Sequence, residues 1–471
     1  MTKTVKADLC IIGAGSGGLS IAAGAAMLGR NVVLIEKGEM GGDCLNTGCV
    51  PSKALIAAGA RAQDMRESGK YGVAGVEPDI DFNAVMDHVH GVIASIAPID
   101  SQERFEGLGV AVIREHAAFT GPREIEAGGR KIQAKHIVIA TGSTPFVPPI
   151  PGLDDTPYFT NETLFENRTR PDHLIIIGGG PIGVEMAQAH RRLGAAVTLI
   201  EGDAILNRED PELAAIVRDR LTHEGVKLVE GAKAQSVQKT ATGISVSTDA
   251  LTIDGSHLLI AVGRKPTVDG LNLEAAGVEY DRSGIKTDDR LRTSNKRIYA
   301  IGDVAGGRQF THVAGYHASV LVRNILFKMP AKNNEHLSPR VTYSDPELAQ
   351  IGLTEAEARA QHGDDVKVAR WPFSKNDRAE AERDMEGFVK AVTDKKGRIL
   401  GAGIVGAGAG DLIQPWTLAI TSNLKIRAFT DMIAPYPTRG EASKRAAGDW
   451  YGETLFSART RKLISLLSLF D

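Results

Sequence analysis

Two stretches of this chain repeat one pattern, displaced by 165 positions without a gap, so that residue 13 falls on residue 178. LCIIGAGSGG…LGRNVVLIE runs from Leu9 to Glu36, and LIIIGGGPIG…LGAAVTLIE from Leu174 to Glu201. Each is an apolar run of strand length, a G-x-G-x-x-G turn, an Ala-rich stretch of helix length ending in Leu-Gly, and a second apolar strand closed by Glu. That order of elements is a βαβ unit, in which the two strands lie parallel and the helix covers the sheet. A bare glycine motif is weak in a chain with 52 glycines. Its place between strand and helix, twice, makes it specific. Gly13, Gly15 and Gly18, and likewise Gly178, Gly180 and Gly183, suit the tight turn, the close approach of backbone to a diphosphate, and tight helix–strand packing. Each diphosphate is expected at a helix N-terminus. Glu36 and Glu201 each stand 23 residues beyond the first glycine of their motif, where a carboxylate accepts ribose hydroxyls and repels a 2′-phosphate.

Two dinucleotide sites in one chain predict two different dinucleotides, the arrangement of a flavoenzyme fed by a nicotinamide, with FAD in one and NAD in the other. The N-terminal unit is assigned to FAD because a cysteine segment follows it within a few residues. IVIATGSTPFVPPIPG, from Ile137 to Gly152, and LIAVGRKPT, ending at Thr267, read as strands leaving a domain. From about Pro339 the glycine fingerprints stop, and segments such as FVKAVTD and ILGAGIVG predict an antiparallel sheet with covering helices.

With 55 basic and 58 acidic residues the net charge is −3, which gives no field for nucleic acid. Three cysteines cannot form a secreted disulfide framework, so a reducing, cytoplasmic setting is expected and any disulfide should be functional. MTKTVKADLCIIGAG reads as a strand entering a turn rather than a signal peptide. No apolar stretch reaches the length of a membrane span. The C-terminal LISLLSLF, behind Arg459, Arg461 and Lys462, is expected to be a packed terminal helix, with a helix lying on a membrane as the alternative.

GGDCLNTGCVPSKAL, from Gly41 to Leu55, holds Cys44 and Cys49. In a regular helix residues five apart lie about 8.6 Å from each other, too far for a disulfide. A bridge therefore requires a distorted turn, for which Gly48 and Pro51 supply the irregularity. Unrelated thiols or half a zinc site are the alternatives, but no second Cys or His pair has ligand spacing, and no metal site is expected. A redox pair fits best. Lys53 and the start of the following helix can lower a thiol pKa here. Asp43, beside Cys44, is expected to raise that thiol's pKa. Cys10, inside the first strand, reads as a small buried hydrophobe.

These residues resemble the flavin-dependent pyridine nucleotide-disulfide oxidoreductases, the family of dihydrolipoamide dehydrogenase, glutathione reductase and mercuric reductase. GAGSGG, GGDCLNTGCVPSK, ATGS, GGGPIGVE, AVGRKPT, AIGDVAG and YPTRGE carry the resemblance over essentially the whole chain. It implies an α/β protein with two Rossmann-like dinucleotide-binding domains and a C-terminal α+β dimerisation domain. The corresponding segments are 1–150 for FAD, 151–268 for NAD(P), 269–338 for a central domain completing the FAD site, and 339–471 for the interface. It implies a homodimer with shared active sites, in which hydride passes from NAD(P)H to flavin to disulfide. Cys49 would face the flavin and Cys44 would exchange with substrate. Lys53 and Glu185 would form an ion pair near the flavin, and Asp303 would hold its ribityl chain. The same motifs place Ser16, Lys37, Gly42, Asp43, Thr141, Gly142, Gly263 and Arg264 at the cofactors.

One position departs from the pattern. Where dihydrolipoamide dehydrogenase and glutathione reductase have His-Pro-Thr and a later Glu as a base pair, this chain has Tyr436 and Glu441. A phenol with a reference pKa near 10 cannot accept a proton at pH 7 as imidazole does, so reduction of an acceptor is favoured over oxidation of a dithiol. Tyr436 could instead only pack at the interface. Mercuric reductase resembles this chain at the same Tyr, yet it collects mercury on a C-terminal cysteine pair, and no cysteine follows Cys49. The expected substrate is a small thiol, disulfide or lipoyl-type group, with a metal ion or quinone as the alternative acceptor. A complex-docked subunit with secondary catalysis is the remaining reading. The arginines that grip a 2′-phosphate in NADP-using relatives are missing from EGDAILN, although Arg208 lies one place beyond. NAD is therefore expected over NADP.

Overall fold

A computed structural model describes residues 4–470. Its first sheet is built on strand β1 (Thr4–Ile12), which pairs in parallel with β2 (Val32–Ile35) on one side and with Arg130–Ile139 on the other. Helix α1 (Ser16–Met27) makes the crossover between β1 and β2. Ala111–Ile113 extends the parallel sheet beyond β2, and Ile298–Ala300, far along the chain, adds a parallel strand beside Arg130–Ile139. An antiparallel flap, Glu124–Ala127 and Ala117–Gly121, completes it. Its inner strand ends, Leu9–Ile12, Val32–Ile35 and Ile137–Ile139, are buried on both faces and so read as unbroken apolar runs such as LCII.

After β2 the chain forms two helices, α2 (Gly42–Asn46) and α3 (Cys49–Glu67). The helix expected over SKALIAAGARAQ thus begins at Cys49, with Pro51 tolerated in its first turn, where a missing N–H costs nothing.

The second copy of the repeat gives β3 (His173–Ile177), α4 (Pro181–Arg192) and β4 (Ala196–Glu201), in a parallel sheet with Lys227–Glu230 and His257–Ile260. Helix α3 packs on α4, where a side chain at Gly59 would meet the Ala189 carbonyl at 3.3 Å. This close crossing sets residues near the start of α3 beside those of α4.

The C-terminal part is a five-stranded antiparallel sheet ordered Arg340–Thr342, Glu347–Gly352, Ile399–Gly406, Phe388–Asp394, Val366–Pro372. Short helix α5 (Asp377–Ala381) lies at its edge, and α6 (Glu441–Leu455) buries Ala442, Ala446, Ala447 and Trp450 against the core beneath it.

The last helix, α7 (Ala458–Leu467), corrects the expectation of a packed terminus. None of its residues is buried, and its leucines face outward. Among the described residues no helix is long and apolar enough to cross a membrane.

Candidate active site

The two glycine turns are superposable in their steric logic. Gly13 has a φ of +107° and Gly178 one of +115°, and a Cβ on either would lie 2.3 or 2.4 Å from the carbonyl oxygen of Ala140 or Ala261. A Cβ on Gly18 or Gly183 would stand 1.9 or 1.8 Å from the carbonyl oxygen of Gly13 or Gly178. Only glycine lets each helix sit so close to its strand. Gly15 and Gly180, by contrast, have nothing within 4 Å of a built Cβ, and they begin α1 and α4 with no side-chain cap. Bare backbone donors at a helix N-terminus, facing open space, suit a diphosphate.

The closing acids match as well. Glu36 accepts hydrogen bonds from Ala14 N at 2.6 Å and Gly38 N at 2.7 Å, and Glu201 from Gly179 N at 2.6 Å and Asp203 N at 3.1 Å. Backbone thus fixes each carboxylate just beyond the second strand of its unit.

One cavity of about 1900 Å³ runs past both turns. Ser16, Glu36, Lys37, Gly42, Asp43, Cys44, Cys49, Lys53, Thr141, Gly142, Glu185, Glu201, Gly263, Arg264 and Asp303 line it. Its extent and its two phosphate cradles fit FAD and a nicotinamide dinucleotide, which would meet at the cysteine pair between them.

Gly48 is the hinge of that pair. It separates α2 from α3, and its backbone turns back so tightly that a Cβ would come within 2.9 Å of the Asp43 carbonyl oxygen. Cys44 and Cys49 therefore belong to two helices rather than one, which removes the spacing problem of a single helix. Both are free thiols here, the former half-buried and the latter open to the cavity.

The neighbouring Cys44 thiol, followed by the Thr311 hydroxyl and the charge of Lys53, holds the Cys49 thiol down at about 6, against the opposing effect of burial. The Thr311 hydroxyl lies 3.3 Å from its sulfur. Cys44 is pushed the other way, by the neighbouring Cys49 sulfur and by partial burial. Of the two sulfurs, Cys49 at the first position of α3 is thus the one favoured as thiolate.

The Asp43 carboxylate is tied to Thr47 Oγ1 at 2.9 Å, Asn161 Nδ2 at 2.8 Å and Arg264 at 3.4 Å, and its charge opposes ionisation of Cys49 as well. Cys10 is fully buried and pushed up to about 12 by that burial, so it is chemically silent.

Lys53 reaches across the α3–α4 crossing to Glu185, Nζ to Oε2 at 2.8 Å. Glu185 is only 5% exposed, and its other oxygen accepts from the Tyr343 N–H at 2.9 Å. The Tyr343 ring lies 4.3 Å from Lys53 Nζ, so one residue steadies both ions. Deeper in, Arg264 Nε donates to Ser143 Oγ at 2.7 Å, and that hydroxyl donates to Asp303 at 2.6 Å. Burial raises the Asp303 pKa.

Behind Asp303, the Gly302 N–H donates to His317 Nδ1 at 3.1 Å, so the proton of this buried ring sits on Nε2 and is donated to Glu335 at 2.9 Å. Thr311, Tyr343 and the His317–Glu335 pair were missed in the sequence, where no motif or spacing marks them.

Tyr436 and Glu441 do not join this cluster within the chain. Tyr436 is 69% exposed and donates to Asp377 Oδ2, at the start of α5, at 2.8 Å. That bond to a carboxylate raises the phenol's pKa. Glu441 is bridged by Arg445 at 2.7 Å. Among the described residues no group of three or more His, Cys, Asp or Glu side chains could hold a metal ion.

The fold and site define a redox enzyme that carries two dinucleotides over a dithiol. Residues 7–318 match the pyridine nucleotide-disulphide oxidoreductase family and residues 338–447 its dimerisation domain, and the chain belongs to that family. It is 35% identical over 446 residues to the mercuric reductase of Bacillus cereus, covering 93% of this chain and 70% of that one. It is 34% identical over 456 residues to the dihydrolipoyl dehydrogenase of Bacillus subtilis (strain 168), covering 94% and 96%. Among solved structures, the Cu(II) complex of the HOCl-induced flavoprotein disulfide reductase RclA from Escherichia coli is similar with a TM-score of 0.83. The two are 29% identical, and the match covers 93% of this chain and 98% of that one. The chain is accordingly an oxidoreductase that uses flavin and a nicotinamide.

Proposed function

We propose that this enzyme takes two electrons from NADH, closes and reopens the Cys44–Cys49 bond, and spends the reduced pair on an acceptor rather than on making NADH from a dithiol. Bound FAD supplies the two-electron relay between nicotinamide and sulfur. The balance is disulfide plus NADH plus a proton giving dithiol plus NAD⁺. Cys49, favoured as thiolate by Cys44, Thr311 and Lys53, is the flavin-side sulfur; Cys44, once its proton has passed to Cys49, is the sulfur that attacks the acceptor, and the leaving thiolate takes that proton up and frees Cys49 to close the disulfide. Lys53 and Glu185 keep a fixed positive charge beside the flavin site, and Asp303 with Arg264 and Ser143 holds the ribityl chain. Residues 1–150, 151–268, 269–338 and 339–471 are the FAD, NAD, central and interface domains.

The observation that carries the direction is the Tyr436–Asp377 hydrogen bond, since a phenol whose proton is held by a carboxylate is no base at neutral pH. In the homodimer that the dimerisation domain supports, Tyr436 of the partner subunit would complete the site as a proton donor to the leaving group. The acceptor class is a small disulfide or lipoyl-type group. A metal ion is the second reading, favoured by the similarity to mercuric reductases and to an RclA solved with Cu(II). Glu201 supports NADH over NADPH. The cysteine economy supports a cytoplasmic setting.

The test offers NADH or NADPH to the purified protein without oxygen, with oxidised glutathione, lipoamide, mercuric ion, Cu(II) and a quinone as separate acceptors. Turnover with at least one of them, faster with NADH, is expected. NAD⁺ reduction by dihydrolipoamide that outruns every acceptor assay overturns the proposed direction, and inertness towards all acceptors leaves a complex-docked subunit.

A further inference from the structure

We infer that α7 is a docking helix for a membrane surface with anionic headgroups, on which it lies without crossing. Ser457 caps the helix by accepting from Thr460 N at 3.2 Å, so α7 has a start of its own after α6. At 100° per residue, Leu463, Ile464 and Leu467 fall on one face of α7 and Leu466 widens it, while Leu469 and Phe470 follow in the turn beyond its last residue. Arg461, Lys462 and Ser465 form the opposite stripe, and Arg459 lies at the angle between Leu466 and Leu463, a turn nearer the helix start. Leu467 is 51% and Phe470 84% exposed, and exposed Leu455 and Phe456 continue the patch towards the body of the protein. Exposed apolar side chains concentrated in one short segment mark an interaction site.

The charge on the same segment decides which surface it fits. Three cations, Arg459, Arg461 and Lys462, stand in the first turn and a half, and no Asp or Glu occurs between Ala458 and Phe470. An interfacial helix combines these features: apolar side chains enter the headgroup boundary while Lys and Arg reach back to lipid phosphates. One plane of anionic lipid meets both demands. The family's shared dimerisation domain ends at residue 447, eleven residues before α7, so the helix lies outside the interface that the family match defines. Helix α6, just upstream, already buries its apolar face in the core. The inference does not rest on the identity of the acceptor.

The full-length flavoprotein is floated with vesicles of phosphatidylcholine alone or mixed with phosphatidylglycerol. Three cations near an anionic surface predict roughly hundredfold tighter binding to the mixed vesicles, weakening as salt rises. Leu467→Glu should abolish flotation and leave NADH-dependent turnover in solution unchanged. Equal recovery with neutral and anionic vesicles, or none with either, overturns the inference. If Leu467→Glu instead dissociates the protein in light scattering while neither form floats, a second copy covers α7 and the membrane assignment is wrong. The wild-type comparison of the two lipids needs no variant, so misfolding of the Glu form cannot hide the answer.

Discussion

Replacing Tyr436 by His tests the direction of electron flow through one side chain. An exposed imidazole with a pKa near 6.5 is about three-quarters unprotonated at pH 7, whereas a phenol of pKa 10 or above is ionised in roughly one molecule in a thousand or fewer. The available base therefore rises by nearly three orders of magnitude. Phenolate is the stronger base, and a Brønsted sensitivity of about one half returns some fiftyfold of that advantage. A net gain of at least about tenfold remains. Asp377, now bonded to the phenol at 2.8 Å, stays in place to orient the ring, and any rise it causes in the imidazole pKa lowers the free-base fraction while strengthening the base. The assay is NAD⁺ reduction by dihydrolipoamide at pH 7 without oxygen, read as kcat/KM. Tyr436→His should exceed wild type by tenfold or more, while reduction of the enzyme's own disulfide by NADH is unchanged, because hydride transfer from NADH to flavin and on to the disulfide uses no base at position 436. A wild-type rate equal to that of the variant refutes the reasoning.

The remaining predictions follow from the same geometry. Because Cys49 is depressed to about 6, its thiolate is present above that pH and lost below it, so alkylation of the reduced enzyme should fall as pH drops through 6; Lys53→Met should move this midpoint upward. Gly183→Ala places a Cβ 1.8 Å from the Gly178 carbonyl oxygen and should raise the KM for NADH more than tenfold while the protein still purifies yellow, since the FAD turn at Gly13 is untouched. Lys390 is 2% exposed and bonds Asp210 at 2.7 Å, Glu355 at 2.9 Å and Glu212 at 3.0 Å, which joins the nicotinamide-binding part to the antiparallel sheet. Lys390→Met strands the buried Asp210 and should cost about 3 kcal/mol in urea unfolding.

The parts of the site that could be read from the sequence are those governed by local sterics. The glycines at 13, 18, 178 and 183 are demanded by contacts with residues in the same turn or the adjacent strand end, so strand, turn and acid occur at fixed spacing. The cysteine segment was legible for a related reason, since its spacing is incompatible with one helix and Gly48 stands where the break must fall. Thr311, Tyr343 and Asp377 were not legible. Each meets its partner only through tertiary packing, Thr311 with Cys49 across 262 positions and Tyr343 with Glu185 across 158. The partners of Asp43 were not legible either, because adjacency in sequence to Cys44 says nothing of where its carboxylate points, and Asn161 and Arg264 hold it. The terminal helix misled because amphipathic periodicity reports that an apolar face exists and not what covers it.

The claim on which the rest depends is that NADH electrons reach the sulfurs of Cys44 and Cys49, and counting thiols tests it most directly. The air-oxidised enzyme, alkylated in denaturant, should show one reactive thiol, Cys10; the same enzyme treated with NADH without oxygen and then trapped should show three, and the Cys44→Ser variant should not change its count on adding NADH. A count that is the same in wild type before and after NADH contradicts the claim.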